Sequence, residues 1–175
     1  MDEAPPPLDA ADLRLLALLQ ADADRSNQAL AEAAGLSPAT AHRRVRRLKA
    51  QGLIEGIVAQ LAPAAMAAAG LPLLQALVEV TLDVQAAERL QAFEDGALAE
   101  PAVQQCWRVS PGPDFVLVLA VPDMPAYAAL ADRLFSADLN VRSVRAFFAV
   151  KRARFGSVLP LPAAPGDAPA AVPRG

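Results

Sequence analysis

Seven consecutive residues, Phe115, Val116, Leu117, Val118, Leu119, Ala120 and Val121, are apolar on both alternating faces of any strand they form. A strand with one wet side alternates apolar with polar residues, so a run of this kind demands cover on both sides. Ala146, Phe147, Phe148, Ala149 and Val150 have the same character. Around these runs the pattern predicts a strand over 73–82, a helix over about 85–98 and strands over 103–109 and 115–121, then a helix over about 124–135 and a strand over 141–150. Asp123 suits the cap of the second helix, and Pro111 to Pro113 suit a turn between the central strands. The order strand, helix, strand, strand, helix, strand predicts a βαββαβ ferredoxin-like domain with both helices on one face of a four-stranded antiparallel sheet. Two helices cover one face only. The other is expected to meet a second copy of the same sheet, the intrachain alternatives being cover by residues 53–72 or by Val158 to Leu161.

The first third of the chain follows a helical period instead. Leu13, Leu16 and Leu19 share a face over about Asp9 to Asp22, with Asp9 and Asp12 at the end where a helix dipole favours negative charge. Ser26 is placed to cap a short second helix carrying Leu30 and Ala31. Gly35 supplies the left-handed exit, and Leu36 anchors the turn. Ser37 followed by Pro38 is a start signal for a third helix, because serine caps free amides and proline suits the first helical position. That helix is expected to run over 38–51 and to close at Gly52, before a strand over Leu53 to Leu61. The resulting fold class is α+β: a helix-turn-helix, winged-helix-like domain over 8–61, a linker over 62–72 and the sheet domain over 73–159. Residues 1–7 read as a mobile arm and 160–175, with five prolines, as a disordered tail.

Charge is distributed unevenly. The net charge is −3, yet Arg43, Arg44, Arg46, Arg47 and Lys49 fall together in an interval, Glu32 to Glu55, that holds no other acidic residue. A solvated helix face interleaves both signs, whereas like charges at neighbouring and i+3 positions repel one another without an anionic partner. Ala41, Val45 and Leu48 lie on one stripe and are expected to pack inward, with Thr40, Arg43 and Arg47 on the opposite side, flanked by Arg44 and Arg46. In a helix-turn-helix the start of the recognition helix enters the major groove of double-stranded DNA, so Ala39, Thr40, Arg43 and Arg44 are the candidates for base edges. Arg46, Arg47 and Lys49 are better placed for phosphates, and Ser37 combines its cap with a phosphate contact.

Other function classes find little support. One cysteine, Cys106, and one histidine, His42, offer no disulfide framework and no Cys- or His-based metal set. Cys106 reads as a small buried hydrophobe and His42 as a helix-surface residue; Trp107 suits either a core or an intersubunit contact. No run of about 18 uncharged apolar residues is present, and no signal peptide opens the chain, so a soluble, cytoplasmic protein with no membrane partner and no cofactor is expected.

In the first domain Leu8, Asp9, Asp12, Leu16, Leu19, Gln20 and Asp22, followed by Leu30, Gly35, Leu36, Ser37, Arg44, Val45, Leu48, Gly52 and Ile54, stand in the register of a known opening helix and helix-turn-helix. In the second, Cys106, Val109, Ser110 and Asp114, then Val121, Pro122, Asp123, Met124 and Tyr127, extend the match. Across about residues 8–155 the chain resembles the Lrp/AsnC family, the feast/famine transcriptional regulators. The resemblance implies a sequence-specific DNA-binding regulator that is not an enzyme, pairs into dimers through its sheet domain and assembles further, commonly into octamers. It also implies a small-molecule effector, often an amino acid, held near Ser110, Gly112, Asp114, Val144 and Ala146.

The departures fall in the sensor. Pro111 stands where members usually carry glycine, and it removes an amide donor that a carboxylate ligand could use. Leu139, Asn140, Val144 and Ala146 replace the Pro-Gly and the two alternating threonines found around and within the last strand. A less polar ligand, or none, is expected, with Asp114 either an ammonium partner or a turn cap. Siroheme decarboxylases resemble the same family, but residues 62–160 contain no histidine for acid/base work. The remaining alternative is an architectural DNA binder without effector.

Overall fold

The computed structural model describes residues 7–136 and 140–162, and these divide into two compact units. The expectations for residues 1–6, for Leu139 and for 163–175 lie outside the described residues.

The helical unit contains α1 (Ala10–Ala21), α2 (Asn27–Ala34) and α3 (Pro38–Ala50). A reciprocal box starts α1: the Asp12 N–H donates to the Asp9 carboxylate at 2.9 Å while the Asp9 N–H donates to the Asp12 carboxylate at 3.2 Å. Ser26 caps α2, which leaves through Gly35 at φ 68°, a conformation glycine adopts without a Cβ penalty. Ser37 caps α3 and Pro38 opens it, as its Ser-Pro signal predicts. Leu15, Leu16, Leu30, Ala31, Ala34, Ala41 and Leu48 form the core, with Leu18, Leu19, Leu36, Val45 and Ile54 against it.

Two expectations for this unit are corrected. Residues 53–61 form no strand, and Leu53, Ile57, Val58 and Leu61 are exposed. A strand is stable only with a ladder partner, and these apolar residues find none within the unit. The chain also returns: residues 153–162 cluster with the helical unit, and Leu161 packs against its core. Leu161 is thus a packed residue inside the segment expected as a disordered tail.

The sheet unit begins with α4 (Pro63–Ala68) and continues β1 (Leu74–Leu82), α5 (Ala87–Leu98), β2 (Val103–Arg108), β3 (Phe115–Val121), α6 (Met124–Leu134) and β4 (Val141–Phe148). The strands lie in the order β2-β3-β1-β4, and every neighbouring pair is antiparallel. Ala76, Val78, Val80 and Leu82 of β1 and Phe115, Leu117, Leu119 and Val121 of β3 meet Phe93 and Ala97 of α5 and Leu130 and Leu134 of α6. Each fully buried Leu or Phe here contributes roughly 1.5–3 kcal/mol of transfer free energy. The opposite face carries Leu77, Trp107 and Phe147, which are 48%, 58% and 51% exposed. On the same face Arg145 of the edge strand β4 bonds Glu79 and lies 5.7 Å from the Phe147 ring centroid. The last strand ends at Phe148, two residues before the expected boundary, and Val150 stands free of the sheet and exposed.

Candidate nucleic-acid interface and sensor cavity

The third helix presents its residues in three bands. Ala41 and Leu48 are buried against α1 and α2, with Val45 half-buried beside them. Ser37, Ala39, His42, Arg43, Arg46 and Lys49 are exposed and Thr40 is half-buried, so the helix offers solvent one nearly continuous basic stripe. A shallow hollow of about 360 Å³ lies along it, lined by His42, Arg43, Arg46, Arg47 and Ala50. At the head of the stripe the Ser37 hydroxyl accepts from the Thr40 N–H at 3.3 Å and donates to the Thr40 hydroxyl at 2.9 Å. Asn27 of α2 donates to the Pro38 carbonyl at 3.0 Å, which pins the turn between the two helices.

The third band corrects the sequence reading. Arg44 Nη1 donates to Asp9 at 2.7 Å and to Asp12 at 2.9 Å, and Arg47 Nη2 donates to Asp12 at 2.5 Å. Asp12 is 1% exposed, so both arginines lean toward the protein and Arg47 does not point away from the core. Nε of each is buried with no hydrogen-bond partner among the described residues. The cause is charge complementarity: a buried carboxylate is tolerated when charge-assisted donors saturate it, and two guanidinium groups do so here. The backbone N–H of Asp12, and then Arg44, hold the Asp9 carboxyl below its ordinary range, while Asp9 and Asp12 raise Arg44 further. The spacing of Asp9 and Asp12, one helical turn apart, was the available signal. Their dipole role was legible; their reach to a helix more than thirty residues away was not.

The five residues expected to hold an effector separate into two groups. Val144 and Ala146 pair with Val80 and Val78 on the helix-covered side of the sheet. There they line a cavity of about 450 Å³ with Tyr127, Ala131, Asp132, Phe135 and Ser136. Tyr127 packs edge-on to Phe148, with ring centroids 5.0 Å apart, and burial raises its hydroxyl pKa. Ser110, Gly112 and Asp114 sit in the loop between β2 and β3 and do not line that cavity. The Asp114 carboxylate accepts from the Leu82 N–H at 2.7 Å and lies 3.4 Å from the Gln85 side-chain nitrogen, while its own N–H donates to Val80. It acts as a loop anchor. Cys106 is half-buried and packs against the sheet core, and burial raises its thiol pKa. Tyr127 and Phe135 were missed as cavity residues, because an aromatic at helical spacing reads first as core.

Comparison with known proteins gives a consistent picture. Residues 8–55 match a family described as winged helix-turn-helix DNA-binding, and residues 75–158 match the Lrp/AsnC ligand binding domain. The HTH-type transcriptional regulator AldR of Mycobacterium tuberculosis is 34% identical over 140 residues, covering 80% of this chain and 76% of that protein. The leucine-responsive regulatory protein of Escherichia coli K12 is 38% identical over 123 residues, covering 70% of this chain and 73% of that one. An AsnC family transcriptional regulator from Agrobacterium tumefaciens has the same fold, with TM-score 0.75, 28% identity and coverage of 87% of this chain and 97% of that chain. A transcriptional regulator from Neisseria meningitidis, solved as an L-Met complex, gives TM-score 0.75 at 25% identity, covering 88% and 97% of the two chains.

Proposed function

The chain belongs to the Lrp/AsnC family of transcriptional regulators, and from that premise we propose how its own residues divide the work of reading duplex DNA and answering a small effector. The observation that carries the reading is the exposed stripe on α3, with Arg43, Arg46 and Lys49 turned to solvent and no acidic residue anywhere on that helix. Ala39, Thr40 and Arg43 lie toward its first half and meet base edges; the fork of Arg43 matches the two acceptors of guanine. Ser37, Arg46 and Lys49 hold phosphates, setting register and salt-dependent affinity without reading sequence. Arg44 and Arg47, engaged with Asp9 and Asp12, brace the helix rather than contact DNA.

The open sheet face supports two-fold pairing. Leu77, Trp107 and Phe147 present apolar area that a second copy of the same face would bury, which supports a dimer carrying two outward α3 helices and an operator of two inverted half-sites. Replacing Trp107 with Glu is expected to raise the dimer dissociation constant at least tenfold by sedimentation. The same measurement reads any assembly of dimers into octamers.

The sensor cavity is lined mainly by apolar side chains, and among the described residues no lysine or arginine lines it to receive a carboxylate. That supports an effector with an apolar body, and an amino acid with an apolar side chain is the first class to screen, the N. meningitidis relative having been solved with L-Met. Among the described residues no helix is long and apolar enough to cross a membrane. A regulator of this kind works in the cytoplasm, where the chromosome is. The relatives are named as regulators, and the absence of histidine from residues 62–160 further favours this reading over the decarboxylase alternative.

Duplexes selected from a random pool by the wild-type protein provide the test. Arg43→Ala should relax sequence preference, costing about 1–3 kcal/mol on the best site and little on scrambled DNA, while Arg46→Ala should weaken both alike. Equal, sequence-blind losses for the two would overturn the division of roles.

A further inference from the structure

The path of the chain after β4 leads back to the helical unit. Ala149 still donates to the Gln75 carbonyl of β1, yet by Ala153 the chain belongs to the helical unit. There Gln20, on the last turn of α1, grips one residue at both of its polar atoms. The Leu159 N–H donates to Gln20 Oε1 at 2.7 Å, and Gln20 Nε2 donates to the Leu159 carbonyl at 3.1 Å. The sheet unit contains the same device, for Asn140 bonds both the N–H and the carbonyl of Val84, at 3.1 and 2.8 Å. Two residues after the grip, Leu161 packs on the core that Leu15, Leu16 and Leu48 share.

The local sequence suits this docking. Pro160 and Pro162 carry no N–H, so between residues 159 and 162 only Leu159 and Leu161 have an amide to satisfy, and Gln20 takes the first. The same prolines hold the segment extended, which lowers the entropy lost on docking.

We propose that residues 153–161 are a strap: an integral piece of the DNA-binding unit that ties it to the sheet unit a second time. The first tie is the chain at residues 59–60 and the second is at 152–153. A unit held by one linker samples a wide volume, whereas a unit held at two points is confined, which raises the effective concentration of the second DNA-binding unit of a dimer once the first has bound. The strap thereby sets how well two α3 helices engage two half-sites together. This last step rests on the dimeric DNA-binding reading given above; the docking of the strap does not.

The test uses the full chain with Gln20→Ala, Leu161→Ala and the two combined. Hydrogen exchange reads the docking directly: the Leu159 amide should be protected in wild type and exchange at least tenfold faster in Gln20→Ala. A Leu159 amide that already exchanges freely in wild type overturns the strap. DNA affinity then reads its consequence, on a selected duplex and on the same duplex with one half-site scrambled. The double variant should lose on the order of tenfold on the intact duplex and less than twofold on the single half-site. Equal losses on both duplexes, as local destabilisation of the helices would cause, overturn the coupling, and so does no loss on either. A wild-type protein that ignores every duplex sinks the regulator reading, and the exchange measurement then decides the strap alone.

Discussion

The helical unit and the sheet unit use polar residues in opposite ways. In the first, a carboxylate that is 1% exposed sits under the DNA-facing helix and is saturated by two arginines. In the second, the buried core is wholly apolar among the described residues, and charge is confined to its surface. The difference teaches that a cluster of like charges is not one functional set. On α3, inner cations fix where the helix lies and outer cations remain for a partner, and only the three-dimensional placement of Asp9 and Asp12 separates them.

Truncating the apolar core should produce the largest effect. Phe115→Ala removes a fully buried ring that packs 4.8 Å from Phe93, and the sheet unit should lose about 3–5 kcal/mol in denaturant unfolding. The helical transition should move far less, if the two units answer separately. Asp12→Asn probes the other kind of interior. It keeps shape and one acceptor but removes the charge that two guanidinium groups share, so the helical unit should lose about 2 kcal/mol, less than a full buried pair because both arginines can turn toward water. A loss under about 0.5 kcal/mol, the scale of an ordinary surface change, would show that the brace is not needed.

The smallest effect is one of pH. Asp9 titrates below its ordinary value of 3.8 in the folded protein, so its contribution is fully present above that value and disappears as the pH falls through the folded value. Asparagine also caps helices, so Asp9→Asn isolates the charge. The stability gap between wild type and variant should be constant near neutral pH and close only in acid, below 3.8. No gap at neutral pH would assign Asp9 to capping alone, and a gap that persists unchanged into strong acid would show that it does not arise from the Asp9 charge.

Much of this architecture was legible in the amino-acid order because it rests on local signals. Ser37-Pro38 marks the start of α3, Gly35 marks the exit of α2, and the Phe115–Val121 run marks a central strand with both sides covered or waiting to be. What escaped depends on partners distant in sequence. Leu53 to Leu61 has the composition of a strand, but composition supplies no ladder partner. Arg44 and Arg47 meet carboxylates 32 to 35 residues away, beyond the range of any periodicity. The Val158–Leu161 segment gave no hint of the glutamine 139 residues earlier that holds Leu159. In the sensor, Val144 and Ala146 line a cavity without polar groups of their own, so ligand chemistry leaves little trace in the residue types.

The separation of outer from inner cations is tested most directly by the salt dependence of duplex binding. With Arg46→Gln and Lys49→Gln together, the slope of log affinity against log salt should fall in magnitude by about two per subunit, at about 0.9 per lost phosphate contact, while the melting temperature of the helical unit stays at the wild-type value. A slope equal to that of wild type would contradict the assignment of the exposed stripe to DNA.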